Sequence, residues 1–160
     1  MSDGESLEFT TAAKQYCSVV DRAGQAENTD VWLAEVATAL LRASLAVRML
    51  PAPEGQAGAA AAAGPASDQR SAVLARVRDR LGSEAPYQTV WPPAGDHEPC
   101  QVTAALAVDL TDIYCDLAKV GSDAAPDADP VAEWRFCYWN HWGRHAAEAL
   151  RVIHYSRVGF

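Results

Sequence analysis

The stretch Trp134-Arg-Phe-Cys-Tyr-Trp-Asn-His-Trp-Gly-Arg-His-Ala-Ala-Glu-Ala-Leu-Arg-Val-Ile-His154 decides the fold. It holds three of the five Trp and three of the four His of the chain. Asp129 and Pro130 stand just before it, an N-cap followed by proline at a first helical position, so one helix is predicted from Pro130 to about His154. At about 100° per residue, one face collects Phe136, Trp139, Gly143, Ala146, Ala147, Leu150 and Ile153. The other collects Trp134, Tyr138, His141, His145, Glu148 and Val152. Large apolar groups on both faces predict a helix buried on two sides, which places His141, His145 and Glu148 at least partly inside the protein. Gly143 leaves room for a second helix to approach closely.

The rest of the chain supplies the helices this one packs against. Phe9, Ala13, Tyr16, Cys17 and Val20 recur at helical spacing and predict a first helix over about Leu7–Arg22, with Ser6 and Gly24 as caps. Val31, Leu33, Val36, Leu40, Leu41, Leu45 and Leu50 predict a second over about Asp30–Leu50, ended by Pro51. A third, about Gln69–Leu81, alternates Arg with Val and Leu and stops at Gly82. A fourth is predicted over about Cys100–Lys119. Residues 51–67, almost only Ala, Gly and Pro, read as a flexible low-complexity connection. Residues 83–99 read as a Pro-rich loop anchored by Tyr87 and Trp91. No period-2 run long enough for a strand stands out. The fold class expected is all-α: residues 1–160 as a single compact bundle of about five helices.

Composition narrows the function. The chain has 160 residues and a formal net charge of −8. An acidic surface argues against nucleic acid and against anionic membranes. No secretory signal and no span of 18 apolar residues is visible, so the expected location is cytoplasmic, without a membrane partner. Cys17, Cys100, Cys115 and Cys137 are far apart and read as free thiols in a reducing compartment. There is no nucleophile elbow, Walker loop or Gly-rich dinucleotide loop, so no cofactor-binding residue is expected.

Chemistry concentrates on two helices. Asp109, Asp112 and Asp116 share a ridge of the fourth helix, and three like charges on one ridge call for partners. Facing the last helix, they allow two arrangements. A divalent metal would take His141, His145, Asp112 and Asp116 as ligands, with Glu148 or another aspartate as base for a metal-bound water in a hydrolytic enzyme. Alternatively, the aspartates with Tyr138, His141, Arg144, His145, Glu148 and Arg151 form a buried structural network. The second is the leading expectation: a non-enzymatic interaction or regulatory domain with a protein partner and no cofactor.

Three stretches carry a resemblance: Phe9-x3-Ala13-x2-Tyr16-Cys17; Asp109-Leu-x-Asp112-Ile-Tyr-x-Asp116-Leu; and Trp134-Arg-Phe with His141-Trp-Gly-x-His145, Ala149-Leu-Arg151 and His154. Together they resemble a bacterial family known as domain of unknown function 5063. Where that family often has two adjacent acids, this chain has Val108 before Asp109. The resemblance implies a compact helical bacterial protein, cytoplasmic and without an assigned activity.

Overall fold

A computed structural model describes residues 3–51, 67–91, 100–120 and 130–158. Most of the connection at 51–67, the Pro92-Pro93 pair, His97, the acidic loop at 121–129 and the Asp129 cap lie outside the described residues. The chain is predominantly helical, as the sequence predicts, with one small hairpin added. Helices α1 (Asp3–Asp21) and α2 (Thr29–Met49) pack on each other. Then come α3 (Ser67–Leu81), the strands β1 (Pro86–Trp91) and β2 (Cys100–Ala105), α4 (Leu106–Leu117), α5 (Pro130–Cys137) and α6 (Gly143–Val158). A π turn, Tyr138–Trp142, joins α5 directly to α6.

Local chemistry sets these boundaries. Asn28 Oδ1 accepts from the Val31 amide at 2.9 Å and caps α2. Gly82, at φ +72°, ends α3 in the left-handed region that glycine enters without steric cost. Helix α1 begins before the expected cap Ser6 and ends before Gly24, which lies in a 3-10 turn (Ala23–Gln25).

The core runs through every helix. Phe9 and Tyr16 of α1, Trp32 and Leu40 of α2, Leu110 and Ile113 of α4 and Trp142 of the π turn are buried together. Two of its deepest polar groups are satisfied by backbone of other segments. Tyr16 donates to the Leu110 carbonyl at 2.9 Å, and Trp32 Nε1 donates to the Val19 carbonyl at 3.0 Å.

Two expectations are corrected. The fourth helix does not begin at Cys100. Cys100–Ala105 pairs antiparallel with Pro86–Trp91, Pro86 opposite Ala105 and Trp91 opposite Cys100. Residues 83–99 are therefore not all loop. Helix α4 starts where the hairpin ends because the loop before β1 reaches it. The Ala85 and Glu84 carbonyls accept from the Leu106 and Ala107 amides at 3.1 and 3.2 Å, satisfying first-turn donors that Ala105 has no side chain to cap.

The second correction concerns the last helix. The π turn inserts one residue, so a constant 100° per residue does not hold across it. The buried stripe runs Val131, Tyr138, Trp142, Ala146, Ala149 and Ile153. Three successive four-residue steps, from Trp134 through Tyr138 and Trp142 to Ala146, would walk about 120° round an α-helix, and the inserted residue takes back about 100° of that. Phe136 and Trp139, expected on a buried face, are exposed. The helix is not buried on two sides.

Candidate functional site

Helices α4 and α6 run antiparallel, and the aspartate ridge divides between two neighbours. Seven residues bring a helix almost back to the same angle, so Asp109 and Asp116 both face the histidines. Asp116 Oδ2 lies 2.6 Å from His141 Nδ1, and Asp109 Oδ1 lies 2.8 Å from His145 Nδ1. Asp112 is turned about 60° away, toward α3, where Arg70 Nε and Nη2 donate to its Oδ1 at 3.1 and 2.7 Å. Lys119 completes the outer pair, its Nζ 3.1 Å from Asp116 Oδ1.

Asp109 is the buried centre, its side chain 6% exposed against 19% for Asp112. Its second oxygen accepts from the Tyr87 hydroxyl at 2.5 Å. Burial, and then the hydrogen bond to Asp109, push the Tyr87 hydroxyl well above the ordinary phenol range, so it stays a donor. A carboxylate only accepts, which requires the hydrogen of His145 to sit on Nδ1 and leaves Nε2 as the basic nitrogen. The two imidazoles meet edge to face, 4.9 Å apart.

The hairpin is fastened to α6 as well as α4. Thr89 Oγ1 donates to Glu148 Oε1 at 2.9 Å. Arg151 holds Glu148 Oε2 from Nε and Nη2, at 3.0 and 2.9 Å, and also donates to the Gln88 carbonyl at 3.2 Å. Its guanidinium lies over the Tyr87 ring, 5.5 Å from the centroid. Beneath the hairpin, Tyr87, Thr89, Asp109, Arg144, His145 and Glu148 line a cavity of about 90 Å³. Sites for small metabolites are larger, about 300–1,000 Å³.

Of the ligand set His141, His145, Asp112 and Asp116, His141 adjoins both Asp116 and His145, while Asp112 is turned away from them. Asp112 belongs to Arg70, Asp116 is shared by His141 and Lys119, and His145 is held by Asp109. Among the described residues no group of three or more His, Cys, Asp or Glu is arranged to hold a metal ion. Of the two arginines expected to meet the ridge, Arg144 lines the cavity beside Asp109 while Arg151 binds Glu148, and Arg70 supplies the guanidinium for Asp112. Tyr138 stands apart from the aspartates, its hydroxyl accepting from Arg48 Nε at 2.7 Å. Tyr87, expected only as the anchor of a loop, holds Asp109, and neither Thr89 nor Arg70 was singled out in the sequence. The alternation Tyr87-x-Thr89, with both residues turned inward and Gln88 and Val90 outward, was the available signal for that pair.

All four cysteines are free. Burial, and then the Asp21 charge, push the Cys17 thiol up to about 12, while Cys100 is exposed. At pH 8 a thiol of that pKa is about one part in 10⁴ thiolate, so alkylating reagents modify Cys100 first and leave Cys17 in the folded protein, as peptide mass mapping will read. The same shift sets a sign for stability. The unfolded thiol ionises near 9.0 and the folded one near 12, so the stability present below pH 9 is lost as pH rises toward 12. Urea midpoints that rise over that interval would contradict it.

The geometry defines a helical bundle whose polar centre is shared by two antiparallel helices and a hairpin laid over them. The chain belongs to the family described as domain of unknown function DUF5063, which it matches over residues 2–158. Protein BF1032 from Bacteroides fragilis, solved by crystallography as a structural-genomics target, has a similar fold at TM-score 0.73 and 18% identity, covering 95% of this chain and 91% of that one. Among curated proteins none matches. No helix among the described residues is long and apolar enough to cross a membrane.

Proposed function

We propose that this protein is a binding module rather than a catalyst, that residues 1–160 act as one cytoplasmic domain, and that the Asp109 cluster is the clasp holding its hairpin down. The observation that carries the binding reading is Trp139. It is 61% exposed on the π turn, with Arg48 of α2 over its ring, and Leu45, one turn earlier on α2, is 62% exposed. Exposed apolar side chains grouped on one face, rather than scattered singly, mark interaction sites. Meanwhile Asp109 and Glu148 accept on both carboxylate oxygens from the chain's own side chains, which supports a structural role for the cluster. Four free cysteines fit a reducing compartment.

Two measurements test the clasp. Untagged protein is expected to carry no stoichiometric metal, and chelator to leave its melting midpoint unchanged. One metal per chain, whose removal lowers the midpoint, would overturn the structural assignment. His145→Ala is expected to cost about 1–3 kcal/mol, because Asp109 then loses a partner inside the protein. A metal-free variant as stable as its parent would mean that His145 serves something other than the fold.

A further inference from the structure

We propose that the ridge formed by α2 and the π turn docks an acidic amphipathic helix of a partner protein. This rests on the binding reading above and gives it an occupant. Leu41, Leu45 and Met49 stand at i, i+4 and i+8 on the outer face of α2, all exposed, over about 12 Å of helix. The ridge continues onto the last helix through Arg48. The Arg48 guanidinium sits 5.3 Å from the Trp139 ring centroid and 5.4 Å from that of Tyr138. Arg135 donates to the Leu50 carbonyl, which ties α5 to the end of α2, and Phe136, next to it in sequence, is exposed. An amphipathic helix binds such an apolar surface through anchors of its own at helical spacing.

Charge selects the partner. Between Val36 and Pro51 the only charged residues are Arg42 and Arg48. Arg42 donates to the Gln15 side-chain amide at 3.2 Å and Arg48 to the Tyr138 hydroxyl, so among the described residues neither is matched by a carboxylate. In a chain of net charge −8, the α2 stretch that carries this apolar stripe thus holds two arginines and no acid. Acidic residues beside a partner's apolar stripe would be repelled elsewhere and attracted here, which gives the face its specificity. A second copy is a poor occupant. In a two-fold dimer both partners offer the same patch, so this stretch of α2 brings no carboxylate to the arginines of the other copy. Anionic membrane and nucleic acid meet the repulsion of the whole chain.

The probe is a displayed library of helical peptides of about 16 residues, or roughly 24 Å, with an apolar stripe fixed and the flanking positions randomised among Asp, Glu, Gln, Lys and Arg. Selection on the full chain is expected to enrich Asp and Glu in the flanks. Selected peptides should bind at least about tenfold more weakly to Leu45→Ser, to Trp139→Ser and to Arg42→Glu, and more weakly as salt rises. All three positions are solvent-exposed, so melting midpoints should stay within a few degrees of the parent, and Leu41→Ser is a further variant on the same ridge. Peptides that bind the parent and every ridge variant equally would overturn the docking surface itself. Peptides that need Leu45 and Trp139 but show no acidic bias, or ignore Arg42→Glu, would overturn the partner class and leave the surface standing. Concentration-dependent dimers abolished by Leu45→Ser, or phosphatidylserine vesicles bound through Trp139, would reassign the face and overturn the proposal.

Discussion

Asp109→Ala lowers stability by about 3–5 kcal/mol, because two buried donors each lose a hydrogen bond to a charged acceptor, about 1.5–3 kcal/mol apiece. In a chain of this size that moves the melting midpoint down by roughly 6–20 °C. The size follows from what the carboxylate holds. Tyr87 brings β1 to α4 and His145 brings α6 to α4, and both donate to Asp109. Removing the carboxylate leaves a phenol hydroxyl and an imidazole N–H facing a cavity lined by alanine. Water entering from the adjoining 90 Å³ cavity can recover part of the loss but not the two charge-assisted bonds. Asp112→Ala is the matched control on the same helix. Its Arg70 partner is 43% exposed, and a pair of that kind contributes about 0–1 kcal/mol. Calorimetry on both variants decides the matter: equal losses would mean that Asp109 is not the centre of the clasp. Tyr87→Phe should fall between them, since it keeps the ring beneath Arg151 and loses only the hydroxyl.

The reasons why the sequence announced one half of this cluster and hid the other are physical. Asp109, Asp116, His141 and His145 share helices with strong apolar periodicity, and seven- and four-residue spacings place them on faces without knowledge of any other element. Their pairing therefore needed only that α4 and α6 touch. Asp112 was legible as part of a ridge, but its partner Arg70 lies 42 residues away on a helix whose other arginines look the same in sequence. The hairpin was harder still. Cys100-Gln-Val-Thr-Ala-Ala runs without a break into Leu106, and alanine suits a helix better than a strand. Pairing with β1 and the Ala85 carbonyl waiting for the Leu106 amide override that preference, and both are tertiary. The π turn is invisible for a related reason. It exists because Trp134, Tyr138, Trp142 and Ala146 all pack inward at four-residue steps, and that packing is known only once their neighbours are.

Gly143→Ala destabilises the protein by about 1–3 kcal/mol, as overpacking does, against the roughly 1 kcal/mol gain that the same change brings in an ordinary helix. The reason is space rather than backbone freedom, since Gly143 has the helical angles φ −63° and ψ −33°. A Cβ there would lie 2.5 Å from the Tyr138 carbonyl oxygen, and 2.9 and 3.0 Å from Cε2 and Cδ2 of the same residue. The carbonyl cannot swing aside, because it accepts the Gly143 N–H in the hydrogen bond that closes the π turn. Nor can the ring. Tyr138 is 5% exposed, meets Trp142 edge to face at 4.7 Å, and has its hydroxyl held by Arg48. The turn must then tighten toward α-helix, which rotates α5 by about one residue, or 100°, relative to α6. Trp139 leaves its place beside Arg48 in that rearrangement, so its fluorescence should shift as the midpoint falls. Gly24→Ala is the control, because a Cβ at Gly24 meets nothing within 4 Å. Should both substitutions prove neutral or stabilising, the crowding at Tyr138 is not what shapes the turn. Should only Gly143→Ala destabilise, with Trp139 displaced, the π turn is the element that presents the indole, and the glycine is there to make it.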